Sequence, residues 1–96
     1  MSPENKKKLT QIRVKLDKLD DQLLSIIKIR TGHVNNVIKL KQHKKEIVDK
    51  KRINIILKKI KQKSKKLNID PQITYRIWKN MIWSYINYER KKFKKK

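Results

Sequence analysis

From Leu9 onward the apolar residues of this chain recur in alternating steps of three and four: Leu9, Ile12, Leu16, Leu19, Leu23 and Ile26. Such spacing lines one stripe of an α-helix at a and d positions, whereas a strand repeats every second residue. The next seam positions are Arg30, His33, Val37 and Leu40, and no proline interrupts before Pro71. A first helix is expected from about residue 6 to about residue 42. Its weak point is Gly32, which costs about 1 kcal/mol relative to alanine, and a break there is the alternative.

A second stripe, Ile53, Ile56, Leu57, Ile60 and Leu67, predicts a helix from about 48 to 66, leaving His43 to Ile47 as a loop. Asn68-Ile69-Asp70-Pro71 reads as a stop and a restart, with Asp70 as N-cap and Pro71 in the first helical position. A third helix carries Ile73, Ile77, Trp78, Met81, Ile82, Tyr85 and Ile86 and runs to about Lys92. The expectation is one all-α domain over residues 1–96, with residues 1–7 and 93–96 as frayed tails rich in lysine.

Ninety-six residues allow one small domain, and such a domain buries only about 60–65% of its chain surface. The absence of cysteine excludes a disulfide scaffold, a thiolate metal site and a Cys nucleophile. His33 and His43 stand ten apart, which matches no metal spacing, so no metal and no cofactor are expected. One glycine and two prolines exclude Gly-rich phosphate loops and most turn-dense β folds. The longest apolar runs are three residues, as in Ile55-Ile56-Leu57, too short to span a membrane. The start at Met1–Lys8 shows no apolar signal core, so a cytoplasmic protein is expected.

Twenty-nine Lys and Arg oppose eight Asp and Glu, a formal net charge of +21. Lysine supplies 24 of those cations, isoleucine occurs 15 times and alanine never. That bias looks like the product of an AT-rich coding sequence, so much of the charge is expected to be drift on a solvated surface. A strongly basic domain still attracts phosphate, which keeps a nucleic-acid-binding or scaffold protein as one alternative. The familiar RNA-reading motifs are absent from the sequence.

Length speaks to assembly. A helix of about 37 residues is about 55 Å long, while a compact globule of this size is only about 30–35 Å across. The first helix is therefore expected to overhang its own domain, and a second copy covering the seam makes an interlocked homodimer. Several charges sit off the wet face. Arg30 occupies a seam position, and Lys41 lies three turns on, about 20° off the same face. Arg52 precedes the Ile53 stripe, Asp49 is one turn earlier, and Tyr85 and Glu89 are i, i+4. Singly these are boundary residues snorkelling from a core edge. Together they direct cations inward where acids are few, and a small polyanionic ligand fits. Arg13 lies about 25 Å from Arg30 and is rotated by about 100°, so it reaches such a site only across a dimer axis.

The ordered set Leu9-x-x-Ile12-Arg13, Leu16-x-x-Leu19-Asp20-x-x-Leu23-Leu24, Arg30, Val37-x-x-x-Lys41, Asp49-x-x-Arg52 and Asn68-Ile69-Asp70-Pro71 resembles the all-helical chorismate mutase family, with its relatives the isochorismate-pyruvate lyases. The likeness covers about residues 8–92. It implies a three-helix protomer in an intertwined homodimer whose two sites each draw on both chains. It implies that Arg30, with Arg13 of the other chain, binds the two substrate carboxylates. It implies that Lys41 and Glu89 contact the ether oxygen whose bond breaks, and that Asp49, Arg52, Ile53 and Tyr85 belong to the surrounding wall. Chorismate to prephenate is an intramolecular rearrangement that needs positioning and preorganised charge rather than a covalent intermediate.

Three positions depart from that pattern. Ile53 stands where mutases commonly have an acid, and Tyr85 where many have Ser. Both look more like the lyases, whose reaction forms salicylate. Glu89 stands where bacterial mutases and lyases usually have Gln. An ionised carboxylate only accepts hydrogen bonds, whereas a protonated one donates as Gln does. The expected reading is a chorismate mutase of aromatic amino-acid biosynthesis whose rate rises as pH falls, with lyase as the first alternative.

Overall fold

The computed structural model describes Met1 to Phe93 and is helical nearly throughout: α1 (Pro3–Leu40), a 3-10 turn at Lys44–Glu46, α2 (Lys50–Lys66) and α3 (Pro71–Lys92). No strand occurs among the described residues, so the all-α reading holds. The chain divides into two compact units, Met1–His33 and a second that begins at Val34.

The first unit is the N-terminal part of α1. Its helix starts three residues earlier than periodicity suggests, because the local chemistry favours an early start. Ser2 Oγ accepts the Asn5 N–H at 3.2 Å, Pro3 fills a position whose N–H has no helical partner, and Glu4 pairs with Lys8 at 3.6 Å. Lys6–Lys8 are therefore helical, not a frayed tail. The seam residues Ile12, Leu16, Leu19 and Leu23 are each about half exposed, Leu23 at 55%. α1 is continuous through Gly32, and a Cβ built there meets open space.

The second unit holds the core. Ile47, Ile82 and Ile86 are buried, and Val48, Ile53, Ile56, Leu57 and Phe93 pack against them. Burying each such isoleucine contributes about 1.5–3 kcal/mol. Ile47, expected in a loop, is among the most buried residues, at 4% exposure. The 3-10 turn before it points its side chain inward, which no periodic pattern announces. Phe93 caps the end of α3 and packs on the core, so it is no tail residue. Residues 94–96 lie outside the described residues.

α2 and α3 form a hairpin whose turn is chemically explicit. Leu67 ends α2, Asn68 adopts φ 57°, and the Ile69 and Asn68 N–H groups donate to the carbonyls of Ser64 and Lys65. That is the Schellman arrangement, with Asn in the left-handed position. It turns Leu67 outward at 69% exposure, so Leu67 does not continue the apolar stripe. Asp70 then accepts the Gln72 N–H at 2.9 Å, and Pro71 opens α3. Behind the turn, Ser64 and Thr74 are buried with their hydroxyls 2.7 Å apart. Each hydroxyl also reaches a carbonyl of its own helix, Ser64 Oγ that of Ile60 at 2.6 Å and Thr74 Oγ1 that of Pro71 at 3.3 Å, so the pair ties the two helices together.

Candidate functional site

α3 is framed at its start by the Asp70 cap and at its end by Phe93, whose N–H donates to the Glu89 carbonyl at 2.8 Å. Within that frame, positions 82, 86 and 89 share the buried face at helical spacing. Two are isoleucines, and the third is a carboxylic acid. Glu89 is only 7% exposed, and an acid in such a place needs a charged or hydrogen-bonding partner. It has Lys41, whose Nζ donates to Glu89 Oε1 at 3.4 Å.

Lys41 lies one residue past the end of α1. Its backbone N–H donates to the Ile38 carbonyl, so the last turn fixes its origin. Three residues earlier on α1, Ile38 is half-buried. A second link holds the same two helices together. Tyr88 OH lies 2.7 Å from Asn35 Oδ1 and donates to it, while Lys92 Nζ sits 5.9 Å from the Tyr88 ring centroid. Neither Asn35 nor Tyr88 stands out in the sequence. Both are polar residues on a helix flank, and only their meeting across 53 positions gives them a role.

The predicted wall residues take different places. Asp49 Oδ1 accepts the Arg52 backbone N–H at 3.0 Å and caps α2. Arg52 is exposed and projects from the first turn of that helix. Ile53 is half-buried and packs against the core isoleucines. Tyr85 is half-buried, one turn before Glu89. The second unit thus joins Lys41 and Glu89 directly and sets Asp49, Arg52 and Ile53 at the start of α2. Arg13 and Arg30 belong to the first unit, and both are exposed.

The loop from α1 to α2 is itself organised by a carboxylate. Glu46 Oε2 accepts the Gln42 N–H at 2.9 Å, and that bond holds its acid below the ordinary glutamate range. Desolvation opposes that bond, and the His43 N–H and the charges of His43 and Lys41 add smaller effects in the lowering direction. Among the described residues no group of three or more His, Cys, Asp or Glu is placed to hold a metal ion. No helix among the described residues is long and apolar enough to cross a membrane.

Chemically, the Lys41–Glu89 pair offers an ammonium with further N–H donors beside a carboxyl group that is sheltered from water. Such a pair can meet an oxygen atom on which charge develops. The family model for type II chorismate mutases matches residues 12–90, a span that includes Arg13, Arg30, Lys41, Asp49, Arg52, Tyr85 and Glu89.

The chain belongs to the type II chorismate mutase family.

It is therefore a member of an enzyme family, and the resemblance read from its spaced arginines and lysine is shown by the match. No curated protein and no solved structure matches the chain.

Proposed function

We propose that this protein is a chorismate mutase that rearranges chorismate to prephenate in aromatic amino-acid biosynthesis. The observation that carries the reading is the buried Glu89 held 3.4 Å from Lys41, in a chain matched along residues 12–90 by the family. In this reading Lys41 donates to the substrate's ether oxygen as charge builds there, and Glu89 meets the same atom when protonated. Arg30 and Arg13 of a second copy clamp the two carboxylates, which holds the dianion in its compact reactive form. Arg52 and Asp49 close the wall. The capping bond of Asp49 gives that wall a fixed start, and Ile53 and Tyr85 supply its apolar part.

A shared site needs two chains. The exposed seam of α1, Ile12, Leu16, Leu19 and Leu23, supports that assembly, because apolar stripes of this length are ordinarily covered. The function is tested by adding the protein to chorismate and following loss of its absorbance and appearance of prephenate. Turnover, abolished by Arg30→Ala, supports the mutase. Inertness toward chorismate combined with salicylate fluorescence from isochorismate replaces it with the lyase.

A further inference from the structure

From Val34 onward the chain has four carboxylates, Glu46, Asp49, Asp70 and Glu89, and each is already engaged. Glu46, Asp49 and Asp70 accept backbone N–H groups and Glu89 accepts from Lys41. The same stretch contains 21 of the 29 cations. Nine of them fall on the 17 residues of α2, which carries no acid. Their placement is ordered. Ile53, Ile56, Leu57 and Ile60 turn toward the interior of the unit. Lys51, Lys58 and Lys65 lie about 150° round the helix from that stripe, in one row with steps of about 10.5 Å. All three are exposed, as are Lys59 and Lys66 beside them.

We propose that the solvent face of α2 is a binding surface for the phosphate backbone of nucleic acid, independent of base sequence. A row about 21 Å long meets a partner whose charges are spaced at about 1.7 Å along its axis, and binding it releases condensed counterions. The residue types favour this occupant over a protein. Protein interfaces are depleted in lysine and anchored by aromatic residues, and the row offers lysines with Ile55 as the neighbouring apolar side chain. A membrane surface fits less well, because a helix that binds lipid buries its own apolar face there, and that face of α2 is packed on the core. Backbone contacts by lysine position a duplex but carry no sequence information. The Lys41–Glu89 pair takes no part, so this activity stands apart from the rearrangement.

The test is anisotropy of a labelled DNA duplex of about 20 base pairs, titrated with the intact protein from about 50 to about 200 mM salt. The variant replaces Lys51, Lys58 and Lys65 by Gln, a residue of similar helix propensity. Its plot of log K against log salt is expected to be shallower by about 2.7, the loss of three phosphate contacts. A control with Lys6→Gln, Lys7→Gln and Lys8→Gln removes the same charge from the first unit and is expected to keep the wild-type slope. A second triple variant, Lys58→Gln, Lys59→Gln and Lys66→Gln, removes the same charge but one residue of the row, and its slope is expected to be shallower by about 0.9. Duplexes of scrambled sequence are expected to bind equally. Equal loss in the Lys6–Lys8 control overturns the assignment to α2, and no duplex binding by the wild type overturns it altogether. So does an unchanged slope accompanied by lost binding to vesicles of anionic phospholipid. Chorismate turnover by the same variants reports separately on the rearrangement.

Discussion

In the proposed rearrangement Glu89 is the residue on which the chemistry turns. It lies on the buried face of α3 and holds Lys41 at 3.4 Å, yet a carboxylate has only acceptors to offer an oxygen that gathers negative charge. Glu89→Gln puts an N–H donor at that place, and kcat/KM at neutral pH is expected to rise. A Gln variant with the wild-type kcat/KM removes Glu89 from the reacting centre.

Two elements carry predictions of their own. In α1, Gly32 is helical and faces open space, so its missing side chain weakens the helix and relieves no clash. Gly32→Ala is expected to stabilise the fold by about 1 kcal/mol, read as a rise in Tm of about 4–8 °C. A lower Tm instead means that another chain approaches the helix at that point. In the loop before α2, the Gln42 N–H holds the Glu46 acid below its ordinary value. The folded-state pKa is thus below the unfolded one, and this stabilisation is complete above the unfolded value. It fades as pH falls through the folded value. Between about pH 6 and about pH 3 the Tm of the wild type is expected to fall more steeply than that of Glu46→Gln. Parallel curves would show that the bond contributes nothing to stability.

At the scale of the molecule, α1 carries the argument. Its N-terminal seam, within the first unit, is half exposed. A homodimer of about twice 11.7 kDa is expected by sedimentation, with no folded monomer at micromolar concentration. If Arg13 serves the other chain's site, Arg13→Ala and Arg30→Ala each lose about 3 kcal/mol of transition-state binding, roughly 150-fold in kcat/KM. Refolding the two variants together then restores activity, because a mixed dimer gathers both lesions in one site and leaves the other intact. Exchange without recovery assigns Arg13 to no shared site. A stable helical monomer overturns both the assembly and the shared site.

The helices and their stops are local events, and the sequence determined them. Alternating steps of three and four placed α1, a one-sided apolar stripe placed α2, and Asp70-Pro71 fixed the start of α3, because i→i−4 hydrogen bonds and caps involve residues a few positions apart. The ordered arginines, Lys41 and the Asp49-x-x-Arg52 spacing were likewise enough to name the family. Which side chains meet across the chain was decided only by tertiary structure. Ile47 is buried because a 3-10 turn aims it at α3, whereas Leu67, in step with the stripe, is turned out by the left-handed Asn68. Lys41 and Glu89 are 48 positions apart, Asn35 and Tyr88 are 53 apart, and Ser64 finds Thr74 across the hairpin. Such contacts depend on how whole helices pack, and periodicity constrains the face a residue occupies but not the neighbour it finds there.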